Sequence, residues 1–198
     1  MRSITAFLFL FLFCSAVKAQ YDVTPGVGID KALLGMPVKE ITSIIGEPSK
    51  VIGYGQERTD WINFGYDVTK RKLVFDIPFD HVYIFNDAKN IYSIWKIYTR
   101  NDTAVIFNLS SYQSQKEFTN KITISNELRF YDDSMAVKKV MGDEFVWYVD
   151  EAKNNHVIYK DKGIFFIVNN NMLRNVFLFM TPQQKPTLIP ACPDIQYL

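Results

Sequence analysis

The sequence has few cysteines, no charge surplus and no long apolar run, and each of these absences excludes a class of protein. Only two cysteines occur in 198 residues. Basic and acidic residues number 22 and 21, so the charge does not point to nucleic acid as a partner. The longest apolar run, Ala6 to Cys14, is shorter than the roughly 20 residues of a membrane helix. We therefore predict no transmembrane segment in the mature chain.

Motifs that carry catalysis or bind metal ions are missing as well. The sequence contains no His-Glu-x-x-His, no phosphate-binding Gly-x-x-x-x-Gly-Lys and no Gly-x-Ser-x-Gly. Both histidines, His81 and His156, lie in apolar strand-like segments, where we expect each side chain to face water. A zinc site or a cysteine nucleophile would need several converging partners, which the sequence does not indicate. We predict no enzyme activity, no catalytic residue, no metal and no cofactor.

Acidic residues cluster at four places, but each place has an ordinary structural explanation. They fall at predicted strand ends, turns or a helix start, where solvated carboxylates cap the backbone. A hydrolase, which needs two carboxylates facing each other across a cleft, is the third-ranked interpretation. The clusters are Asp76 with Asp80, Asp132-Asp133, Asp143-Glu144 and Asp150-Glu151.

Residues 1–19 have the pattern of a secretory signal peptide. Arg2 gives a positive start, the apolar run follows, and the small residues Val17 and Ala19 precede a cleavage site before Gln20. The bulky Phe13 before Cys14 argues against a lipid-modified cysteine. We predict export to the periplasm or the outside of a bacterium, because secreted eukaryotic proteins of this size more often carry cysteine pairs. The remaining Cys192 has no partner within the mature chain and could link two copies as a dimer.

Two short helices are predicted, each ended by a glycine. The first begins at Pro37, with an apolar face of Val38, Ile41, Ile44 and Ile45, and ends at Gly46. The second is capped by Asp132 or Asp133 and ends at Gly142. Its apolar face consists of Met135, Val137, Val140 and Met141.

Runs of strand-forming residues follow each helix and are joined by short turns. Such runs predict an antiparallel meander covered by its helix. The first set is Trp61–Tyr66, Lys72–Ile77, His81–Phe85 and Ile91–Tyr98, and the second is Val146–Asp150, His156–Lys160, Ile164–Val168 and Val176–Met180.

The predicted fold class is therefore α+β, with two tandem repeats, each a short helical segment packed on a four-stranded antiparallel β-sheet. We divide the chain into a signal peptide (1–19), a first repeat (20–100), a connector (101–121), a second repeat (122–181) and a proline-rich tail (182–198). The connector contains further strand-like stretches at Ala104–Asn108 and Lys121–Ile124.

The segment Gly35-Met36-Pro37, six helical residues and Ile44-Ile45-Gly46-Glu47-Pro48 resembles the signature of the BamE-like outer-membrane assembly lipoproteins. The same unit in tandem resembles the β-lactamase inhibitor proteins. In the second copy Asp143-Glu144 replaces the Glu47-Pro48 pair, which departs from the pattern. The resemblance implies an exported, non-enzymatic module of helix on sheet that binds another protein. It assigns no binding residue.

Aromatic residues supply the candidate binding site. Strand alternation predicts an inward set of Ile62, Phe64, Leu73, Phe75, Val82, Ile84, Ile91, Trp95 and Ile97. The opposite face would then carry a surplus of aromatic side chains, which is typical of a partner-binding surface unless the rest of the chain covers it. Trp147 and Tyr148 are adjacent, so one of them must point outward, and Tyr54 lies in a glycine-rich loop over 51–55. The predicted partner-binding residues are Tyr54, Trp61, Tyr83, Phe85, Tyr92, Tyr98, Trp147 and Tyr148.

Two functions fit these features. We predict a non-enzymatic, exported protein-binding or envelope-assembly module, whose partner is another exported or envelope protein. The alternative is a carrier for a small ligand such as a sugar, lipid or peptide, held in a groove between the repeats.

Overall fold

The computed structural model describes residues 21–53, 66–67, 72–73, 79–85, 95–111, 119–150 and 153–181. Two α-helices and fourteen β-strands occur within them. The helices are α1 (Val38–Ile45) and α2 (Ser134–Met141). The strands are β1 (Tyr21–Thr24), β2 (Gly28–Ile29), β3 (Ala32–Leu33), β4 (Lys50–Gly53), β5 (Tyr66–Asp67), β6 (Lys72–Leu73), β7 (His81–Ile84), β8 (Trp95–Arg100), β9 (Thr103–Ser110), β10 (Ile122–Ile124), β11 (Val146–Val149), β12 (Asn155–Tyr159), β13 (Ile164–Asn169) and β14 (Met172–Phe179).

The largest element is an eight-stranded antiparallel sheet with the strand order β11-β12-β13-β14-β9-β8-β7-β4. The strands β9 and β14 pair in its middle, where Phe107 lies opposite Leu178 and Leu109 opposite Val176. The edges are β11 and β4. A class of α+β is therefore confirmed, but the predicted pair of separate four-stranded sheets is wrong. The two sets of strands form one sheet because β9, which lies in the stretch predicted as a connector, joins them.

A second sheet of four short strands has the order β10-β1-β2-β3, and β1 pairs with β10 in parallel. Sequence analysis missed β1 to β3, because strands of two to four residues between turns are too short to show alternation. The remaining pair, β5 and β6, forms a two-stranded sheet. The strand β5 lies beside β11, whereas β4 is at the opposite edge of the large sheet.

Both helices end where the sequence predicts, for the predicted reason. Gly46 and Gly142 have φ of 96° and 89°, and each donates its N–H to the carbonyl four residues earlier. At the start of α2, Asp133 accepts a hydrogen bond from the backbone N–H of Ala136 at 2.8 Å, whereas Pro37 before α1 makes no side-chain cap. Two residues of the predicted apolar faces differ: Ile44 and Met135 are exposed.

The large sheet is apolar on both faces. One face packs against both helices and the small sheet, and includes Trp95, Ile97, Phe107, Phe166 and Leu178. The other face forms a second cluster. Its members are Val82, Tyr98, Val105, Ile106, Tyr148, Ile158, Phe165, Phe177 and Phe179.

The register of β7 with β8 corrects the predicted inward set. Val82 pairs with Tyr98, and Tyr83 pairs with Ile97, so each pair shares one face of the sheet. The prediction had placed Val82 with Ile97 and Tyr83 with Tyr98. The prediction failed because both faces of the sheet are apolar. The alternation of side chains within one strand then does not determine its register with the neighbouring strand.

Neither helix in the described part of the chain has the length and apolar character needed to cross a membrane.

Candidate functional site

The predicted aromatic surface is mostly interior where the structure describes it. Phe85, Tyr98 and Tyr148 are buried, with at most 6% of each residue exposed. They were predicted to lie on an outward face, and that placement is corrected: Phe85 belongs to the cluster beneath the helices, and the two tyrosines belong to the opposite cluster. Tyr54, Trp61 and Tyr92 lie outside the described residues, as does Cys192.

Tyr83 is half-buried and packs against the helix-side core. Its burial, with a smaller contribution from the charge of Asp102, raises the pKa of the phenol above its usual value. Tyr83 therefore stays neutral at physiological pH and offers only part of its ring to the surface.

Trp147 is the predicted site residue that the structure places at the surface, with 46% of it exposed. It lies on the edge strand β11, opposite Val157 of β12. Its neighbour Tyr148 is completely buried, because successive side chains of a strand point to opposite faces. The adjacent pair Trp147 and Tyr148 therefore splits as the sequence required, with the tryptophan outward.

A groove of about 270 Å³ lies between Trp147 and the N-terminal part of α2. Apolar side chains line it together with polar side chains from α2, from the start of β12 and from the β13–β14 turn. The lining residues are Ser134, Lys138, Phe145, Trp147, Asn155, Val157, Val168 and Asn171.

Side-chain contacts hold the walls of this groove in place. The ammonium of Lys138 lies 5.1 Å from the centre of the Phe145 ring, a cation–π distance. The hydroxyl of Ser134 donates to Oδ1 of Asn171 at 2.7 Å, which joins α2 to the β13–β14 turn. The groove thus combines apolar side chains with one basic group.

The far end of α2 is also anchored by side chains. The hydroxyl of Tyr159 donates to the carbonyl of Gly142 at 3.0 Å, and Nζ of Lys162 donates to the carbonyl of Met141 at 2.6 Å. These donors satisfy carbonyls that a helix end leaves open, and the ammonium suits the negative end of the helix dipole. Burial, with a smaller effect from Asp143, raises the pKa of Tyr159 to about 12, so its hydroxyl remains a donor.

A buried polar network lies at the tip of the β11–β12 hairpin. The side chains of Asp150 and His156 are 2.9 Å apart, from Oδ2 to Nε2. Asp150 also accepts the backbone N–H of Asn154 at 2.8 Å and its side-chain amide at 2.9 Å. Asn169 in turn donates to Oδ1 of Asn154. The network thereby closes the hairpin turn and ties it to β13.

The electrostatics of the pair favour a neutral histidine beside a carboxylate. Burial lowers the pKa of His156 and outweighs the attraction and hydrogen bond of Asp150, which act to raise it. Burial raises the pKa of Asp150, but hydrogen bonds from Asn154 and His156 outweigh this and leave it below its usual value.

The location of His156 corrects the sequence prediction. His81 is exposed as predicted, but only 3% of His156 is exposed. Asp150, predicted to be a solvated strand end, is 6% exposed. Sequence analysis missed the pair because its members come from two strands, and only the hairpin register brings them together. The one usable signal was an acidic residue and a histidine flanking a predicted turn.

The described part of the chain holds no cluster of three or more histidine, cysteine or acidic side chains suited to a metal ion.

No protein-family model matches the chain, and no curated protein matches it. Solved structures that match include a cysteine-rich secretory protein of Staphylococcus aureus, at 13% identity and a TM-score of 0.41, covering 82% of this chain and 50% of that one. Another is an extracellular protein of Bacillus anthracis that contains an SCP domain, at 11% identity and a TM-score of 0.41, covering 77% of this chain and 45% of that one. The chain spans about half the length of these proteins.

The resemblance to BamE-like lipoproteins and to β-lactamase inhibitor proteins was wrong. The structures that match are SCP-containing proteins and belong to neither family. The motif that carried the resemblance runs from Gly35 through Pro48, and its Pro37 and Gly46 are residue types that are common at helix ends in any fold. It is therefore a signature of a short helix, which the structure contains, rather than of a family.

Proposed function

We propose that this chain is an exported, non-enzymatic module that binds another exported or envelope protein, and that the groove beside Trp147 is its contact surface. The observation that carries the proposal is a half-exposed tryptophan on an edge strand beside a preformed groove. Tryptophan is enriched among the residues that dominate interface energies, and such residues centre on desolvated pockets. The export part of the proposal rests on residues 1–19.

The size and lining of the groove favour a protein side chain over a small ligand. Its volume of about 270 Å³ lies just below the roughly 300–1,000 Å³ of small-molecule sites. Lys138 supplies a positive charge, and Asn155 and Asn171 supply side chains that can donate and accept. A partner that brings an apolar side chain with a neighbouring acceptor would fit these groups.

We also propose that the chain contains two copies of one structural unit. The first unit is α1 with β4 and β7 to β9, and the second unit is α2 with β11 to β14. The order of the large sheet supports this, because each unit contributes four strands and the last strand of each lies in the middle. Val51 and Trp147 stand at matching places, each five residues after the helix-ending glycine, and each is 46% exposed.

That match provides the control for a binding experiment. Residues 20–198 are used as bait in a crosslinked pull-down from envelope extract, beside the variants Trp147→Ala and Val51→Ala. Both variants remove an equally exposed apolar side chain from an edge strand, so both should fold. We expect a protein that the wild type and Val51→Ala capture and that Trp147→Ala loses. Repeated with that protein purified, the Trp147 change should weaken binding at least about thirtyfold.

Equal capture by Trp147→Ala would contradict the proposed surface. A pull-down that captures nothing specific would favour the small-ligand carrier instead.

One observation supports that second function: a shallow depression of about 510 Å³ lies between the small sheet and the end of α2, lined by Pro25, Met141, Lys162 and Thr181 among others. Thermal-shift screening against sugars, lipids and peptides tests it, because a ligand of the folded state raises the melting temperature.

A further inference from the structure

We propose that the Asp150–His156 pair makes the β11–β12 hairpin sensitive to mild acid, so that protonation of His156 loosens the hairpin. The inference goes beyond the proposed binding function and rests on the geometry of the pair.

The imidazole of His156 is held in an apolar, aromatic environment. Its ring stacks on Tyr148 at 4.3 Å between centres and lies 6.1 Å from Phe165, with interplanar angles of 24° and 28°. With 3% of the residue exposed, water cannot hydrate a charge on the ring. A buried charge is tolerated only where hydrogen bonds and counter-charges replace that hydration.

The hydrogen bonds of His156 suit the neutral ring and do not suit the charged one. Nε2 lies 2.9 Å from a carboxylate oxygen of Asp150, so the neutral tautomer places its proton on Nε2 and donates it. Nδ1 is buried and has no hydrogen-bond partner among the described residues. Protonation would place a second N–H at Nδ1 without an acceptor, which costs the full desolvation of that donor.

The charged groups around His156 are few. Asp150 faces it from the end of β11, together with the phenol of Tyr148. From β13 it meets Phe165, which is apolar. The turn adds the exposed Lys153, and β5, which lies beside β11, carries Asp67. Asp150 is the one direct counter-charge among the described side chains, and it is already shared with Asn154.

The sign of the pH effect follows from the lowered pKa. A histidine with a pKa below its unfolded value of about 6.5 contributes stability that is present above pH 6.5 and is lost as the pH falls through the folded-state pKa. Asp150, whose pKa is also lowered, loses its contribution only at a lower pH, below the ordinary aspartate range. The loss that comes from His156 therefore begins at a higher pH than the loss that comes from Asp150.

The hairpin connects this titration to the surface. His156 pairs with Tyr148 across the hairpin, and the next pair along is Val157 with Trp147. Loosening the hairpin would therefore displace one wall of the Trp147 groove. This consequence rests on the proposed function, but the sensitivity of the hairpin itself does not.

The unfolding equilibrium of residues 20–198 between pH 7.5 and 5.0, measured with urea and without any partner, tests the inference. His156→Phe keeps an aromatic ring against Tyr148 and removes the titration, and His81→Gln removes the exposed histidine as a matched control. We expect the unfolding constants of wild type and His81→Gln to rise by up to about tenfold per pH unit below pH 6.5, relative to His156→Phe. When the pH is lowered from 7.5 to 5.0, the protection factors against hydrogen exchange should fall more in residues 146–159 than in residues 38–53.

Parallel pH profiles for wild type and His156→Phe would overturn the inference. If His156→Phe does not fold, the Cε1–H resonances of wild type and His81→Gln provide the second measurement, since the chain has only two histidines. A midpoint for His156 below 6.5 supports the inference, and a midpoint at or above 6.5 overturns it. Neither measurement needs a partner, so a failure here and a failure of the binding proposal are distinguishable.

Discussion

The two units that we propose each contain a helix and four strands of the large sheet, but they differ in the chemistry of their outer edges. Both helices have eight residues and end at a glycine with positive φ. At the outer edge, however, the first unit pairs Ile52 with Val82, whereas the second pairs Tyr148 with His156. An apolar pair is the cheaper solution for a buried sheet face, because a buried polar group costs free energy unless every partner is supplied. We therefore expect the outer edge of the second unit to contribute less to folding stability than that of the first.

The units also anchor their helices differently. The start of α1 is held by backbone bonds to the β8–β9 turn, from Val38 N–H to Asp102 and from Gly35 N–H to Ala104, both at 2.8 Å. The helix α2 uses the side chains of Asp133 at its start and of Tyr159 and Lys162 at its end. Backbone bonds also tie the residues before α2 to β14, from Tyr131 N–H to Leu173 at 3.0 Å and from Leu173 N–H to Asp132 at 2.8 Å. The difference between the two helices therefore lies in the side-chain anchors that α2 has in addition.

The strongest test of this contrast uses the neighbours Trp147 and Tyr148. Tyr148→Ala removes a fully buried aromatic ring and should lower the free energy of unfolding by about 3–5 kcal/mol. Trp147→Ala removes a half-exposed ring and should cost about 1 kcal/mol. Urea denaturation measures both. Equal costs would mean that the alternation of β11 is not as described.

Substituting either of the two helix-ending glycines should lower folding stability by less than Tyr148→Ala does. Gly46 and Gly142 have φ of +96° and +89° with ψ near 180°, a region that residues with a Cβ rarely adopt. A Cβ at either position meets no atom within 4 Å, so backbone strain is the only cost. Gly46→Ala and Gly142→Ala should each lower stability by about 1–3 kcal/mol. Thermal or urea unfolding showing a difference above about 1 kcal/mol between them would argue against equivalent helix ends.

The smallest expected change in folding stability comes from substitutions at the residues that cap the helix N-termini. Asp133→Ala removes the acceptor of the Ala136 N–H and should cost about 1 kcal/mol, whereas Asp133→Asn keeps a good cap and should cost less. The helix of the first unit has no equivalent capping hydrogen bond that a substitution could remove, since Pro37 makes no side-chain cap. Unfolding curves of the two Asp133 variants that coincide would show that the cap contributes nothing.

The helices could be predicted from sequence because their ends are local. Pro37, Asp133 and the two glycines act through their own backbone geometry, and the structure confirms the helix at each place. The loop expected around Val51 was wrong: Lys50–Gly53 is the edge strand β4. The glycines of 51–55 suggested a loop, but over Lys50–Gly53 the pairing with β7 determines an extended strand.

The site was harder to predict because it depends on strand register. Tyr98 and Tyr148 look like surface residues when each strand is considered by itself, and they are buried because a second apolar cluster lies on that face. Asp150 and His156 are six residues apart, and nothing in the intervening sequence requires that they meet. For the adjacent Trp147 and Tyr148 the sequence required that one side chain point outward, but only the structure shows that it is Trp147.

The most direct test of the central claim is a hydrogen-exchange footprint of the captured protein on residues 20–198. We predict protection in 134–149 and 155–157, the segments that form the groove beside Trp147, and unchanged exchange in 38–53 of the first unit. Protection centred on 38–53, or spread equally over both units, would contradict the claim that the second unit carries the binding surface.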